Sequence, residues 1–292
     1  MNILFAIPHY FRPVGAAPDG RTHGAFGRDP RPRVDALVAC LTSIRELCQP
    51  RVCVLSHVER HARLVPSPPI SAKVVICTTG ADHLLDSLPA EARDWTHRPT
   101  AADPPLLGYE CHAALAAGLG TYQYFCYLED DILLTDPWLF RKLDWFRSQF
   151  GDARLLQPNR FETGSHPHVD KMYVDGDLPP SCTESFQPAA NPRQLSADVL
   201  GQPVIFRTTT NPHAGCFFLN AAQMARWAES PHFLDRSAAF VGALESAATL
   251  GIMRSFEIFK PGIENPEFFE VRHFGSAYLG MILSSQQGTA SS

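Results

Sequence analysis

Lysine is nearly absent from this 292-residue chain: Lys73, Lys142, Lys171 and Lys260 are the whole set, and the remaining basic residues are arginine. Thirty acids against 25 basic residues leave a formal charge of -5, so the chain has no basic footprint for nucleic acid or for an anionic membrane surface. Long apolar runs are missing as well. Ile3 to Ile7 is too short for a signal peptide's apolar region, and no later stretch approaches a transmembrane span. A chain made for the cytoplasm is expected, touching a membrane-bound substrate at most from outside the bilayer. The eight cysteines form no C-x-x-C pair and mostly lie in apolar segments, which speaks against a zinc site or a disulfide framework and for reduced core thiols. There is no internal repeat. A glycine-rich basic phosphate loop after the first strand is also wanting, since Gly15, Gly20, Gly24 and Gly27 are scattered.

What is present suffices for a full core, with 45% hydrophobic and 19% charged residues. Asn2 to Pro8 reads as a short buried strand, with His9, Tyr10 and Phe11 at its carboxyl end. Arg12 to Pro32 is rich in Gly, Pro and Arg and reads as a loop. Val34, Leu37, Val38, Leu41, Ile44 and Leu47 recur at helical spacing from Arg33 until Pro50. Strands are expected at Arg51–Ser56 and Lys73–Thr78, a loop with one short helix from Asp82 to Pro105, and a tight-packing helix over Gly108–Leu119. Helices alternating with strands imply a largely parallel sheet whose strand ends share one crevice.

The chain is organised around Tyr124–Leu128, an apolar strand cut off by Glu129, Asp130 and Asp131. Three adjacent acids are not core residues, so they belong at the carboxyl end of that strand, where open α/β sheets place their ligand crevice. Clustered carboxylates repel, and a divalent cation relieves the repulsion best. A solvated turn is the plainer reading, but the acids are flanked on both sides by apolar residues, with no Gly, Asn or Ser between. Asp136-Pro137 then opens a helix to about Phe150, with Gly151 as its stop.

Beyond Gly151 the texture is less regular. Arg154–Gln157, Pro203–Thr210, Gly215–Leu219 and Met253–Phe259 read as strands, Ala221–Ser230 and Arg236–Leu250 as helices, and Pro158–Gln202 as a long polar connection. From Gln286 the tail is polar and expected to be disordered. The division is therefore a nucleotide-binding α/β half over 1–151, a second mixed half over 152–285, and a tail over 286–292.

The nucleotide-type α/β opening, the acid triplet Glu129-Asp130-Asp131 ending a central strand, and a mixed second half with a late helix carrying Glu245 resemble a glycosyltransferase of the GT-A fold. The resemblance covers roughly residues 1 to 275. It implies a Rossmann-type, mostly parallel sheet abutted by an α+β acceptor half, and a nucleotide-sugar donor whose diphosphate is held by Mn²⁺ or Mg²⁺. By the family's pattern Asp131 is the metal's direct ligand, with Asp130 or Glu129 acting through water or on the ribose. The motif is most often written D-x-D, and Glu129 is a variation on its first acid. His273 matches a C-terminal histidine that some branches add to the metal. Arg33 matches an arginine near the diphosphate, with Arg28 or Arg31 as substitutes. Pro8, His9 and Tyr10, at the end of the first strand, fall on the nucleotide side. Glu245 is the candidate general base for an acceptor hydroxyl, with Asp175 and Asp177 as rival acids.

The expected activity is transfer of a hexosyl unit from a nucleotide sugar to a glycan or glycoconjugate, in polysaccharide or glycoconjugate biosynthesis. A sugar-phosphate nucleotidyltransferase would share the fold and metal. A two-domain GT-B enzyme is a further rival, for which the chain is short. A non-catalytic carbohydrate-binding relic of the fold is the alternative from another class.

Overall fold

In the computed structural model, residues 1–13, 28–48, 52–65, 70–166, 169–187 and 193–281 are described. Most of the expected arginine loop, residues 14–27, and the expected disordered tail, 286–292, lie outside them.

The first half runs β1 (Asn2–Pro8), α1 (Arg31–Cys48), β2 (Cys53–Ser56), β3 (His61–Leu64), β4 (Ser71–Thr79), β5 (Thr96–Thr100), α2 (Leu107–Ala116) and β6 (Tyr124–Leu128). The second runs β7 (Ile132–Leu133), α3 (Leu139–Phe150), β8 (Arg154–Leu156), β9 (Asn159–His166), β10 (Val169–Tyr173), β11 (Gln194–Val199), β12 (Gln202–Arg207), β13 (Cys216–Asn220), α4 (Ala221–Ala228), α5 (Ala243–Ser255), β14 (Glu257–Pro261) and β15 (Glu270–His273).

The central sheet has the order β13-β6-β1-β4-β5. From β6 through β1 and β4 to β5 every pairing is parallel, and β13 closes the other edge antiparallel to β6. The chain is thus an α/β fold with a mostly parallel sheet, as the alternating helices and strands imply. Period-two alternation on β1 explains the layers. Ile3, Phe5 and Ile7 face Leu37, Cys40 and Ile44 of α1 and Phe140 and Phe146 of α3. Leu4 and Ala6 face Leu107, Cys111 and Leu115 of α2, with Met224 and Trp227 of α4 and Ile252 of α5 on the same side. Both faces of the sheet are therefore covered, which is why β1 and β6 are unbroken apolar runs. Phe5 is fully buried, and a side chain of that size contributes about 1.5–3 kcal/mol by leaving water.

The second half adds two four-stranded sheets, β10-β9-β15-β7 and β11-β12-β14-β8. Gly151, at φ 85°, ends α3 as its position after Phe150 implies.

Four expectations need correcting. The strand expected over Arg51–Ser56 is not one of the central sheet: among the described residues β2 pairs only with β3, in a hairpin whose Val54, Leu55 and Leu64 are 60%, 58% and 71% exposed. Its local pattern is that of a strand, but nothing local names a strand's partner. The segment 82–105 holds the edge strand β5, Thr-His-Arg-Pro-Thr, whose Pro99 and polar residues suit an edge. Pro158–Gln202 holds β9, β10 and β11. The helix expected from Arg236 begins at Ala243, because Gly242 is its extended N-cap and the stretch before it is irregular, with Arg236 and Val241 at φ 53° and 55°, outside the right-handed helical region.

Candidate active site

β6 delivers the acid triplet to the carboxyl end of the parallel sheet. Backbone bonds fix the triplet on both sides: Glu129 N–H donates to Gly215 O at 2.8 Å, and Asp131 O accepts from Phe274 N–H at 2.8 Å. β6 ends at Leu128, and Asp130 and Asp131 form a turn closed by Ile132 N–H donating to Glu129 O at 3.1 Å, which sends Asp130 inward and leaves Glu129 and Asp131 part-exposed. The exposures follow: 23% for the side chains of Glu129 and Asp131, 1% for Asp130.

Asp130 is a core residue after all, against the expectation that none of the three would be. Its Oδ2 takes His9 Nδ1 at 2.5 Å and its Oδ1 pairs with Arg33. The other His9 nitrogen, Nε2, accepts from Leu84 N–H at 3.1 Å. That leaves His9 as the Nδ1–H tautomer, neutral and with both ring nitrogens engaged. Burial opposes charge on Asp130, but Arg33 and His9 outweigh it and hold its carboxyl below the usual range.

Arg33, in the first turn of α1, lies beside both acids: its second arm reaches Asp131 Oδ2 at 3.3 Å. Arg31 turns away to Asp29 at 2.8 Å, and Arg28 is exposed. Pro8, at the end of β1 opposite Cys77, is half-buried, and Tyr10 beyond it is buried. Burial raises the Tyr10 hydroxyl pKa, with Arg12 opposing.

β15 brings His273 to the triplet, because its register sets His273 opposite Ile132 at the start of β7. His273 Nε2 lies 3.7 Å from Asp131 Oδ2, while its Nδ1 meets Glu162 Oε1 at 2.8 Å. Glu129 has Arg160 as its nearest cation, at 3.8 Å. Burial, then the charge of Asp131, push Glu129 up to about 8; Arg160 opposes and Glu245 adds to the rise. Glu245 sits in the first turn of α5, half-buried and within electrostatic reach of Glu129.

Behind Glu129 lies a buried network that sequence reading missed. Arg160 donates from Nη2 to Asp175 Oδ1 at 2.8 Å, and Lys260 Nζ reaches Asp175 Oδ2 at 3.1 Å and the carbonyl of His213. His213 Nδ1 meets Thr249 Oγ1 at 3.0 Å, and burial drives its pKa down to about 3. Asp175 is thus part of this network, buried between two cations, and Asp177 meets Thr210 at the surface. Two signals pointed here. Arg160 and Glu162 alternate on Asn-Arg-Phe-Glu-Thr, which puts both on one face, and Lys260 is a rare lysine inside the apolar strand Glu-Ile-Phe-Lys-Pro.

Whether these residues suit a divalent cation is a question of donors. Asp131 Oδ1 is buried with no hydrogen-bond partner, which is costly for a carboxylate oxygen unless something else binds it. With Glu162 accepting from Nδ1–H, the lone pair of His273 Nε2 faces Asp131. Among the described residues no three His, Cys, Asp or Glu side chains converge into a metal-holding group. Asp131 and His273 could offer a cation two side-chain donors, so only a hard cation that keeps water or ligand oxygens in its other positions would fit here. Among the described residues, no helix is long and apolar enough to cross a membrane.

No protein-family model and no curated protein matches the chain. Among solved structures it is similar to Staphylococcus aureus TarS 1-349, at 8% identity over 94% of this chain with a TM-score of 0.43, and it spans 61% of that chain. It is also similar to mannose-1-phosphate geranyltransferase from Thermus thermophilus, at 14% identity over 89% of this chain and 73% of that one, TM-score 0.39. A third likeness is to CMP:2-keto-3-deoxy-manno-octonic acid synthetase complexed with CTP, at 12% identity over 98% of this chain and 99% of that one, TM-score 0.40.

Proposed function

We propose that the chain is a metal-dependent glycosyltransferase of the GT-A type, moving a sugar from a nucleotide-sugar donor to a glycan or glycoconjugate acceptor in the cytoplasm. The observation that carries this is Asp131 at the carboxyl end of the parallel sheet, with one buried oxygen unpartnered and His273 Nε2 3.7 Å from the other. Asp131 and His273 would hold Mn²⁺ or Mg²⁺, which when bound offsets the charge of the departing diphosphate. Arg33 stands at the same acids to bind phosphate oxygens. Glu129 takes the ribose or a bridging water, and Pro8 and Tyr10 flank the base. His9 acts one step back, by fixing Asp130 and through it Arg33. Glu245, at the rim, takes the proton of the acceptor hydroxyl. Residues 1–151 thus serve the donor and 152–285 the acceptor, with His273 lent by the second half to the donor's metal.

The test is thermal unfolding with a panel of nucleoside diphosphates and nucleotide sugars, with and without Mn²⁺, on wild type and Asp131→Ala. One nucleotide is expected to stabilise wild type only with the metal, by about 2.7 kcal/mol at a hundredfold excess over Kd, and to leave Asp131→Ala unmoved. An equal response in both proteins, or none in either, overturns the reading. Pyrophosphate released from a nucleoside triphosphate and a sugar phosphate would turn it to the nucleotidyltransferase.

A further inference from the structure

Glu162 is fully buried, yet no lysine or arginine of the described residues pairs with it. Its two oxygens are divided between two donors far apart in sequence: Oε1 meets His273 Nδ1 at 2.8 Å and Oε2 accepts Leu279 N–H at 2.9 Å. A buried carboxylate is expensive, and an apolar side chain on β9 would fill the same space without that cost. We propose that Glu162 is a positioning residue that ties the aim of His273 at Asp131 to the seating of the 276–281 segment over the site. The proposal rests on the metal reading above.

The geometry of the two donors carries it. His273 is the last residue of β15, and the chain then turns through Phe274, bonded to Asp131 O, and Gly275 at φ 93°. The segment that follows is a helical turn over 277–281. It carries Tyr278 into contact with the site, its ring 5.6 Å from His273 and 5.8 Å from the Arg160 guanidinium. Leu279 is buried beside Gly164, where a Cβ would come within 3.2 Å of the leucine methyl, so β9 leaves room for it. One carboxylate therefore fixes the Nδ1–H tautomer of His273, which leaves Nε2 toward Asp131, and holds the backbone that brings Tyr278 down. A cation shared by Asp131 and His273 must then steady the 276–281 segment, and the segment must steady the cation, because coupling between two sites is reciprocal.

Glutamine cannot replace this carboxylate. With the amide nitrogen toward Leu279 N–H two donors meet, and with it toward His273 Nδ1 the ring must take the Nε2–H tautomer, which turns the nitrogen facing Asp131 from a lone pair into a donor. In Glu162→Gln, Mn²⁺ affinity is expected to fall about 10–100-fold, and amides over 276–281 to exchange with solvent faster than in wild type even without metal. In wild type, adding Mn²⁺ is expected to slow that exchange. Affinity is read from free Mn²⁺ in a titration and exchange by mass spectrometry, so neither needs turnover. Wild-type Mn²⁺ affinity and unchanged exchange in Glu162→Gln overturn the proposal. So does wild type that binds Mn²⁺ with no change over 276–281, a result independent of how the variant folds. In both of those cases the metal reading stands. Wild type that binds no Mn²⁺ overturns both.

Discussion

Two charged groups meet at the same strand ends and differ in balance. Asp130 lies between neutral His9 and Arg33, and Asp175 between Arg160 and Lys260; in both, burial opposes charge, the hydrogen-bonding and cationic partners outweigh it, and the carboxyl is held below its usual range. Glu129 and Asp131, one residue to either side of Asp130, are less well matched, since Asp131 shares Arg33, at 3.3 Å, with Asp130. Arg160 is 3.8 Å from Glu129 and committed to Asp175, and Asp131 keeps a buried oxygen with no partner. A buried carboxylate matched on both oxygens holds backbone in place. An incompletely matched one beside it, partly open to solvent, is where a ligand's charge is wanted.

Asp175 carries the largest share of the balanced group's energy. Its removal leaves Arg160 and Lys260, both buried, without their shared anion, and stripping one member from a buried ion network costs about 3–5 kcal/mol. Asp175→Ala is expected to lose that much in urea unfolding. A loss under about 1 kcal/mol would mean the network is wet and structurally idle, and the contrast with Glu129 and Asp131 would go with it.

A smaller effect sharpens the other side. Gly215, at φ 64°, accepts the Glu129 N–H through its carbonyl, and a Cβ there would lie 2.7 Å from Glu129 Oε2 and 3.0 Å from Ile132 Cδ1. Backbone strain and the side-chain clash together put Gly215→Ala at about 1–3 kcal/mol of lost stability, read from the denaturation midpoint. Unchanged stability would show that the Glu129 carboxylate swings aside freely, and that the crevice has no fixed arrangement of acids to compare.

The balanced and unbalanced groups were unequally legible. The turn from apolar strand to acid triplet is local, so β6 and the placement of Asp131 at the sheet's carboxyl end could be read from Tyr124 to Asp131. The burial of Asp130 could not, because its partner His9 lies 121 residues away and nothing near either residue announces the pair. The same holds for Arg160, Asp175 and Lys260, which long-range pairing of β9, β14 and the 174–178 stretch assembles. The parallel sheet was legible wherever burial on both faces makes an unbroken apolar run, as in β1, β4 and β6. β5 was not, because an edge strand has one neighbour and tolerates Thr-His-Arg-Pro-Thr. In the hairpin of β2 and β3 the apolar run of β2 is visible, but only the pairing of Cys53 with Leu64 and Ser56 with His61 shows that it stands apart from the sheet.

The smallest effect tests whether the face of the sheet away from the acids is as dry as the balanced group requires. His112 is enclosed by Tyr109, Tyr127, Phe217 and Trp227 and meets the carbonyl of Ala247 through Nε2 at 2.9 Å. Burial drives its pKa from 6.5 down to about 4. The unfolded chain takes up this proton below pH 6.5 and the folded chain does so only near 4, so the stabilisation is whole above 6.5 and lost as pH falls through that window. The slope is about 1.4 kcal/mol per pH unit. His213 tilts stability the same way and Glu129, raised to about 8, the opposite way, but both are common to wild type and variant and cancel in the difference. His112→Phe keeps a ring in the enclosure, gives up the bond to Ala247, and removes the titration. Between about pH 6.5 and 5 wild type is expected to lose stability more steeply than His112→Phe by about 1.4 kcal/mol per unit, from urea midpoints at each pH. Parallel curves would show that His112 takes a proton as readily folded as unfolded, which requires water inside the aromatic enclosure.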